Sequence, residues 1–151
     1  HYDPRCVGSC VIVSELIHSL IYKDFGLSYH DIFDIAMKYD KRIIGFIDLS
    51  LSPDIRTLEL QDQKSMGYTL RCLSAALWAY WHARSFEDGL LAIVRAGGDA
   101  DTNAAVACAI LGAKFGYDAI PEKYKEGLIY RKELDQVITG VANIINAQAN
   151  L

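Results

Sequence analysis

The chain has 151 residues, a formal net charge of −4, 52% apolar residues and 23% charged residues. That length suits one domain with a sizeable core, and so apolar a composition argues against disorder. The acidic balance, with no basic cluster larger than "YDKR" or "YRK", speaks against nucleic acid and against a membrane surface, both of which favour basic patches; no uninterrupted apolar run reaches the roughly 18 residues of a membrane span.

Residues 5–24 ("RCVGSCVIVSELIHSLIYKD") set Val7, Val11, Ser14, Ile17 and Ile21 at helical spacing, and Gly26 stands as the C-cap. Residues 28–40 predict a second helix, with Ser28 as N-cap and Asp31 in the capping-box position. "RIIGFIDLS" (42–50) fits helix or extended chain equally. The polar stretch 51–67, with Pro53 inside it and Gly67 at its end, reads as a loop with a helical turn near Asp54–Leu58. Loops this long in compact domains are often functional.

Residues 68–84 predict a strong helix whose apolar stripe is Leu70, Leu73, Leu77 and Trp81. Ser85 caps the next, 85–96, with Asp88 at its N3 position, and Gly97 and Gly98 end it. A third, 101–116, is rich in alanine and stops at Gly116. Its small side chains let neighbouring backbones approach, which places it in the middle of a bundle. Pro121 opens a short turn or helix, and 131–149 closes the chain. No strand alternation of useful length occurs. The expected fold is all-α: a compact orthogonal bundle of roughly seven helices.

The four cysteines, Cys6, Cys10, Cys72 and Cys108, lie in apolar helical contexts. They read as buried free thiols of a reduced, cytoplasmic compartment. Cys6 and Cys10 are four apart, but no second Cys or His pair has zinc-ligand spacing. His18, His30 and His82 sit within or near the ends of helices, where capping or packing accounts for them. Trp78 and Trp81 read as core. No Cys-His or Ser-His-Asp spacing points to a nucleophile.

"GGDADT" (97–102), followed by Asn103, is the most concentrated polar motif. As a helix cap it needs one aspartate, and acidic groups there also offset the helix dipole. As a metal site, Asp99 and Asp101 aim two carboxylates at one point and Thr102 adds a hydroxyl, a donor set for Mg²⁺, Mn²⁺ or Ca²⁺. Gly97 and Gly98 permit the positive φ such a turn needs. An EF-hand is excluded, because its sixth and twelfth positions fall on Ala104 and Ile110 instead of Gly and Glu. A hard cation takes about six ligands, and this turn offers three. The other acidic pairs, Asp31/Asp34 and Glu87/Asp88, look like solvated helix starts. Either the site is weak or its other half lies outside this chain.

These residues resemble a known family. "FEDGLLAIVRAGGDADTNAAVACAILGAKFGYDAIPEKY" (86–124) is similar to the C-terminal signature of the ADP-ribosylglycohydrolases. "GYTLRCLSAALWAYW" (67–81) resembles the helix that precedes it there, and "HYDPRCVGS" (1–9) resembles that family's Thr-His-x-Asp-Pro segment. The resemblance implies an all-α domain of which residues 1–151 are the C-terminal part. It implies two Mg²⁺ or Mn²⁺ ions, with Asp99, Asp101 and Thr102 as metal ligands and His1, Tyr68, Gly97 and Gly98 toward the substrate. The family's N-terminal Thr-Asp-Asp cluster and its general acid/base have no counterpart here, so that half of the fold is an expected partner. The implied reaction is hydrolysis of the bond joining ADP-ribose to a protein side chain or a related small conjugate. The rival expectation is a non-catalytic relative that binds metal or ADP-ribose, or serves a structural role.

Overall fold

Eight α-helices and three short 3-10 turns make up residues 1–149, the part of the chain that the computed structural model describes, and no strand occurs among them. The all-α expectation holds, with one helix more than the sequence suggested. Residues 1–119 form one compact unit and the residues from 120 onward a second.

α1 (Pro4–Tyr22) starts at Asp3, whose carboxylate accepts the Arg5 N–H at 2.9 Å. Pro4 sits at the start of the helix, where a missing N–H costs nothing. The buried face is Gly8, Ser9, Ile12, Leu16 and Ser19, not the row from Val7 to Ile21. Both rows repeat at the helical period because α1 is apolar nearly all round, so periodicity could not choose between them. Gly8 shows which side is inside: a Cβ there would lie 2.6 Å from Ile43 Cδ1. α1 is also the one helix among the described residues long and apolar enough, by length and composition, to cross a membrane. Counting uninterrupted apolar residues missed this. Core helices of water-soluble bundles meet the same test, and α1 packs on α2, α4 and α6. The helix ends at Lys23, and the left-handed turn beyond it falls on Asp24 (φ 57°), not on Gly26. Gly26 is small for another reason: the Tyr80 hydroxyl occupies the place of its missing side chain.

α2 (Tyr29–Tyr39) has the expected capping box. Ser28 Oγ accepts the Asp31 N–H at 3.2 Å, and Asp31 Oδ2 accepts the Ser28 N–H at 2.8 Å. The ambiguous segment is helical: a 3-10 turn at Lys41–Ile43, capped by Asp40, runs into α3 (Ile44–Ser50). Ile43, Ile47 and Ser50 are buried at helical spacing. The loop that follows has its 3-10 turn at Ile55–Leu58, and buried Leu58 and Leu60 anchor it.

α4 (Thr69–His82) is buried without a gap from Leu73 to Ala79, so it is a central helix and not merely a striped one. Leu70, Leu73 and Leu77 are inside as expected, while Trp81 is half-buried. α5 (Phe86–Ala96) is capped by Ser85 Oγ, which accepts the Asp88 N–H at 3.1 Å. α6 (Ala100–Phe115) packs against α1, α4 and α5. Its crossing with α5 is close: a Cβ on Gly89 would sit 2.5 Å from Leu111 Cδ1. Lys114 of α6 donates to the Tyr80 and Ala83 carbonyls at the end of α4, at 2.7 and 3.3 Å. The central position expected for α6 holds on one side only. Asn103, Ala104, Ala107, Ile110 and Leu111 are buried, whereas Ala105 and Ala109 are exposed.

The cysteines correct a second expectation. All four are free, but Cys10 is exposed and the other three are half-buried, because α1, α4 and α6 turn them toward the outer side of the unit. In the second unit, α7 (Glu122–Glu126) follows Pro121, and α8 (Arg131–Ala149) carries an exposed apolar stripe that includes Leu134, Val137, Ile138 and Val141.

Candidate metal centre and adjoining cleft

The acidic turn is built by two glycines. Gly97 and Gly98 have φ of +75° and +71°, conformations that side chains rarely adopt. A Cβ on Gly98 would lie 1.8 Å from the Leu60 carbonyl oxygen, and one on Gly97 would lie 3.0 Å from Gln61 Nε2. The turn is therefore pressed against the loop before α4, and that contact fixes where the next residues point.

Asp99 occupies the N-cap position of α6, yet its side chain makes no capping bond. Its backbone carbonyl accepts the Asn103 N–H at 2.9 Å instead. The Asp101 carboxylate accepts the Thr102 N–H at 2.9 Å, and the Asp99 carboxyl lies beside it. The Thr102 N–H, and after it the Asp99 contact, hold Asp101 below the usual carboxylate range. Two carboxyl groups thus meet at the mouth of α6 with no cation side chain between them. Capping alone leaves that pairing unexplained. Asp101 and Thr102 are exposed, and Asp99 is half-buried. Among the described residues no group of three or more His, Cys, Asp or Glu side chains comes together, so the turn stays short of a full ligand set for a hard cation.

The neighbours of the turn define a site. Cys72 Sγ lies 3.8 Å from the Thr102 carbonyl oxygen. Burial, and then the Asp99 charge, push its thiol up to about 11, which favours the protonated form. Asp99 Oδ2 lies 3.8 Å from where a Gly67 side chain would begin. Gly67 leads into Tyr68, and the two line a cleft of about 300 Å³ together with His1, Asp3 and Arg5. The structure thus brings His1 and Tyr68 into one cleft beside Asp99. Gly97 and Gly98 do not line that cleft; they shape the turn behind it.

Asp3 and Arg5 organise the cleft; sequence reasoning met Asp3 only within the His-x-Asp-Pro resemblance and passed over Arg5. Arg5 Nε donates to Asp3 Oδ1 at 2.8 Å, and a second bond joins Arg5 Nη2 to Asp3 Oδ2, a fork-on-fork pair. This pair holds the Asp3 carboxyl far below the usual range. Arg5 Nη1 also donates to the Tyr68 hydroxyl at 3.2 Å, and the Tyr68 ring meets Phe46 edge-on at 5.6 Å. The Asp3 N–H donates to His1 Nδ1 at 3.1 Å. With Nδ1 accepting, a neutral His1 ring carries its proton on Nε2. The local signal was present: an aspartate before a proline marks a helix start. The partner, Tyr68, lies too far along the chain to be read locally.

A larger hollow of about 830 Å³ lies between the Ile55–Leu58 turn and α5, with Leu60, Gln61 and Arg95 in its wall. None of the individual site residues expected from sequence lies in its wall, but the 51–67 loop, expected to be functional, forms most of it.

The sequence profile described as ADP-ribosylglycohydrolase matches residues 1–150. The chain belongs to the ADP-ribosylglycohydrolase family. An ADP-ribosylarginine hydrolase Tri1 of Serratia proteamaculans is 28% identical over 91% of this chain and 36% of its own length. A protein of the same name from Pseudomonas putida is 32% identical over 49% of the chain and 20% of its own length. An uncharacterised protein of Archaeoglobus fulgidus is 44% identical over 92% of the chain and 46% of its own length. The chain thus spans less than half the length of these relatives. No solved structure matches it.

Proposed function

We propose that this chain supplies the Asp99, Asp101 and Thr102 half of a dinuclear Mg²⁺ or Mn²⁺ centre in an enzyme that hydrolyses ADP-ribose conjugates. The observation that carries this reading is the Asp99–Asp101 pair: two carboxyl groups side by side at a helix start where one suffices, Asp101 already accepting the first-turn Thr102 N–H and Asp99 left without a cap bond. Carboxylate and hydroxyl oxygens are the donors hard divalent cations take. The remaining ligands and the general acid/base come from residues outside 1–151, in keeping with the greater length of the relatives.

The names of the Serratia and Pseudomonas relatives favour an arginine linkage. When bound, such ions orient ribose hydroxyls and ready a water for attack. The chain's own residues bind and orient. The Tyr68 ring offers a flat face to a base or sugar, held by Arg5. His1 lines the same cleft, and its Nε2–H is a donor available to a phosphate or ribose oxygen. Gly97 and Gly98 keep the backbone close enough to the loop for Asp99 to reach the cleft.

The test is release of ADP-ribose from ADP-ribosylated arginine by the whole gene product. Release is expected with Mg²⁺ or Mn²⁺ and is expected to stop with a chelator. No release from arginine-, serine- or other-linked conjugates would favour a non-catalytic binding protein.

A further inference from the structure

α4 opens with a cation where the helix dipole favours an anion. Arg71 is its third residue, its first turn holds no acidic residue, and Tyr68 at the N-cap makes no side-chain cap bond. The guanidinium is engaged with the preceding loop instead, and its side chain is only 14% exposed. Nε donates to Ser65 Oγ at 3.2 Å, Nη1 to the Leu58 carbonyl, and Nη2 to Glu59 Oε2 at 3.0 Å. Ser65 Oγ donates in turn to Asp62 Oδ2 at 2.8 Å. Glu59 stands in the left-handed region, with φ 49°, a conformation that a side chain resists. Arg71 holds it there by the carbonyl before it and by its own carboxylate. Leu60 follows, and its carbonyl oxygen is the atom against which Gly98 is pressed.

The same group reaches the cleft. Arg71 Cζ lies 5.6 Å from the centre of the Phe46 ring, whose edge-on partner is Tyr68. Beyond Tyr68, Arg5 Cζ lies 5.8 Å from the centre of the tyrosine ring. Two aromatic rings thus stand between two guanidinium groups, and Arg71 is the one that also grips the loop. We propose that Arg71 is a positioning residue of the site. Through the 58–65 segment it sets the seat of the Gly97–Gly98 turn, and hence of Asp99; through Phe46 it sets the Tyr68 ring. For the metal, this rests on the reading that Asp99 and Asp101 are ligands. Lysine cannot take its place, because an ammonium is a point charge and does not present a planar fork to three acceptors at once.

The test compares the wild type, Arg71→Met and Arg71→Lys in the whole gene product, at a temperature where each is folded. Mn²⁺ binding, read from the electron paramagnetic resonance signal of the free ion, is expected to weaken about tenfold in both variants, as when the outer support of a metal ligand is lost. Wild-type affinity in Arg71→Met would overturn the proposal. Recovery in Arg71→Lys would show that charge suffices without the fork, and overturns it equally. Amide hydrogen exchange, read by mass spectrometry without metal, gives a second measure. In both variants peptides covering 58–68 and 97–103 are expected to exchange about tenfold faster, while the buried row of α1 keeps its rate. Faster exchange throughout would mean a general loss of stability, and faster exchange in 58–68 alone would mean that the loop does not govern the turn; either result contradicts the proposal. A wild type that binds no Mn²⁺ but shows the paired change in exchange keeps the positioning role and rejects the metal reading. A wild type that binds Mn²⁺, with exchange at 97–103 unchanged in the variants, does the reverse.

Discussion

Asp99 sits where a helix cap should be and does not cap. Its carboxyl is turned toward Asp101 and toward the backbone at Gly67. At this scale the shape of the turn was legible because it is local: two aspartates, a threonine and two glycines fall within six residues, and both glycines take the positive φ expected of them. Arg5 was not legible, because its meaning depends on Tyr68, 63 residues away. Arg5→Lys keeps the charge but loses the planar fork that grips Asp3 and Tyr68 together. In the whole gene product it is expected to raise KM for an ADP-ribosyl substrate by about tenfold with kcat little changed, in line with the worth of a charged hydrogen bond. Equal losses in kcat and kcat/KM would instead mean that Arg5 acts in the transition state. Gly98→Ala tests the turn itself. A left-handed φ and a Cβ 1.8 Å from the Leu60 carbonyl oxygen are expected to cost about 3 kcal/mol or more in denaturant unfolding. A cost under 1 kcal/mol, by the same comparison, would show that the loop yields easily.

Among the elements, capping and glycine punctuation placed α2, α5 and the Ile55–Leu58 turn before any coordinates. Ser28→Ala removes one arm of the α2 capping box and is expected to cost about 1 kcal/mol. What patterning could not give was the inner face of α1, which is apolar nearly all round, or the short α3, because the segment 42–50 fits helix or extended chain equally. The start of the 3-10 turn before α3 adds a pH dependence. The Arg42 guanidinium, and then the Arg42 N–H, hold the Asp40 carboxyl down at about 2, from an ordinary 3.8. A carboxyl whose folded value is depressed stabilises the fold above its unfolded value, and that contribution is lost as pH falls through the folded one. Stability of the chain is therefore expected to fall between pH 3.8 and about 2, and Asp40→Asn to flatten that limb in acid unfolding curves. An unchanged slope would show that the Arg42 contact does not persist in solution.

The chain belongs to the ADP-ribosylglycohydrolase family, and its acidic turn, cleft and open helix faces all lie in the first unit, residues 1–119. Its helical class was readable from periodicity. The proposed half-site rests on a count of oxygen donors that the sequence allows: three in the turn, against the roughly six a hard cation takes. The exposed faces of α1 and α6 were not readable, because a run of small and apolar residues looks the same whether or not a neighbour covers it. On this account the 1–151 chain alone is expected to release no ADP-ribose from any conjugate, and turnover by it would refute the half-site. The most direct test of the central claim is the melting temperature of the whole gene product with and without millimolar Mn²⁺ or Mg²⁺. The account predicts a rise in the wild type that Asp99→Ala combined with Asp101→Ala abolishes. A wild type that melts at the same temperature with and without metal would contradict it.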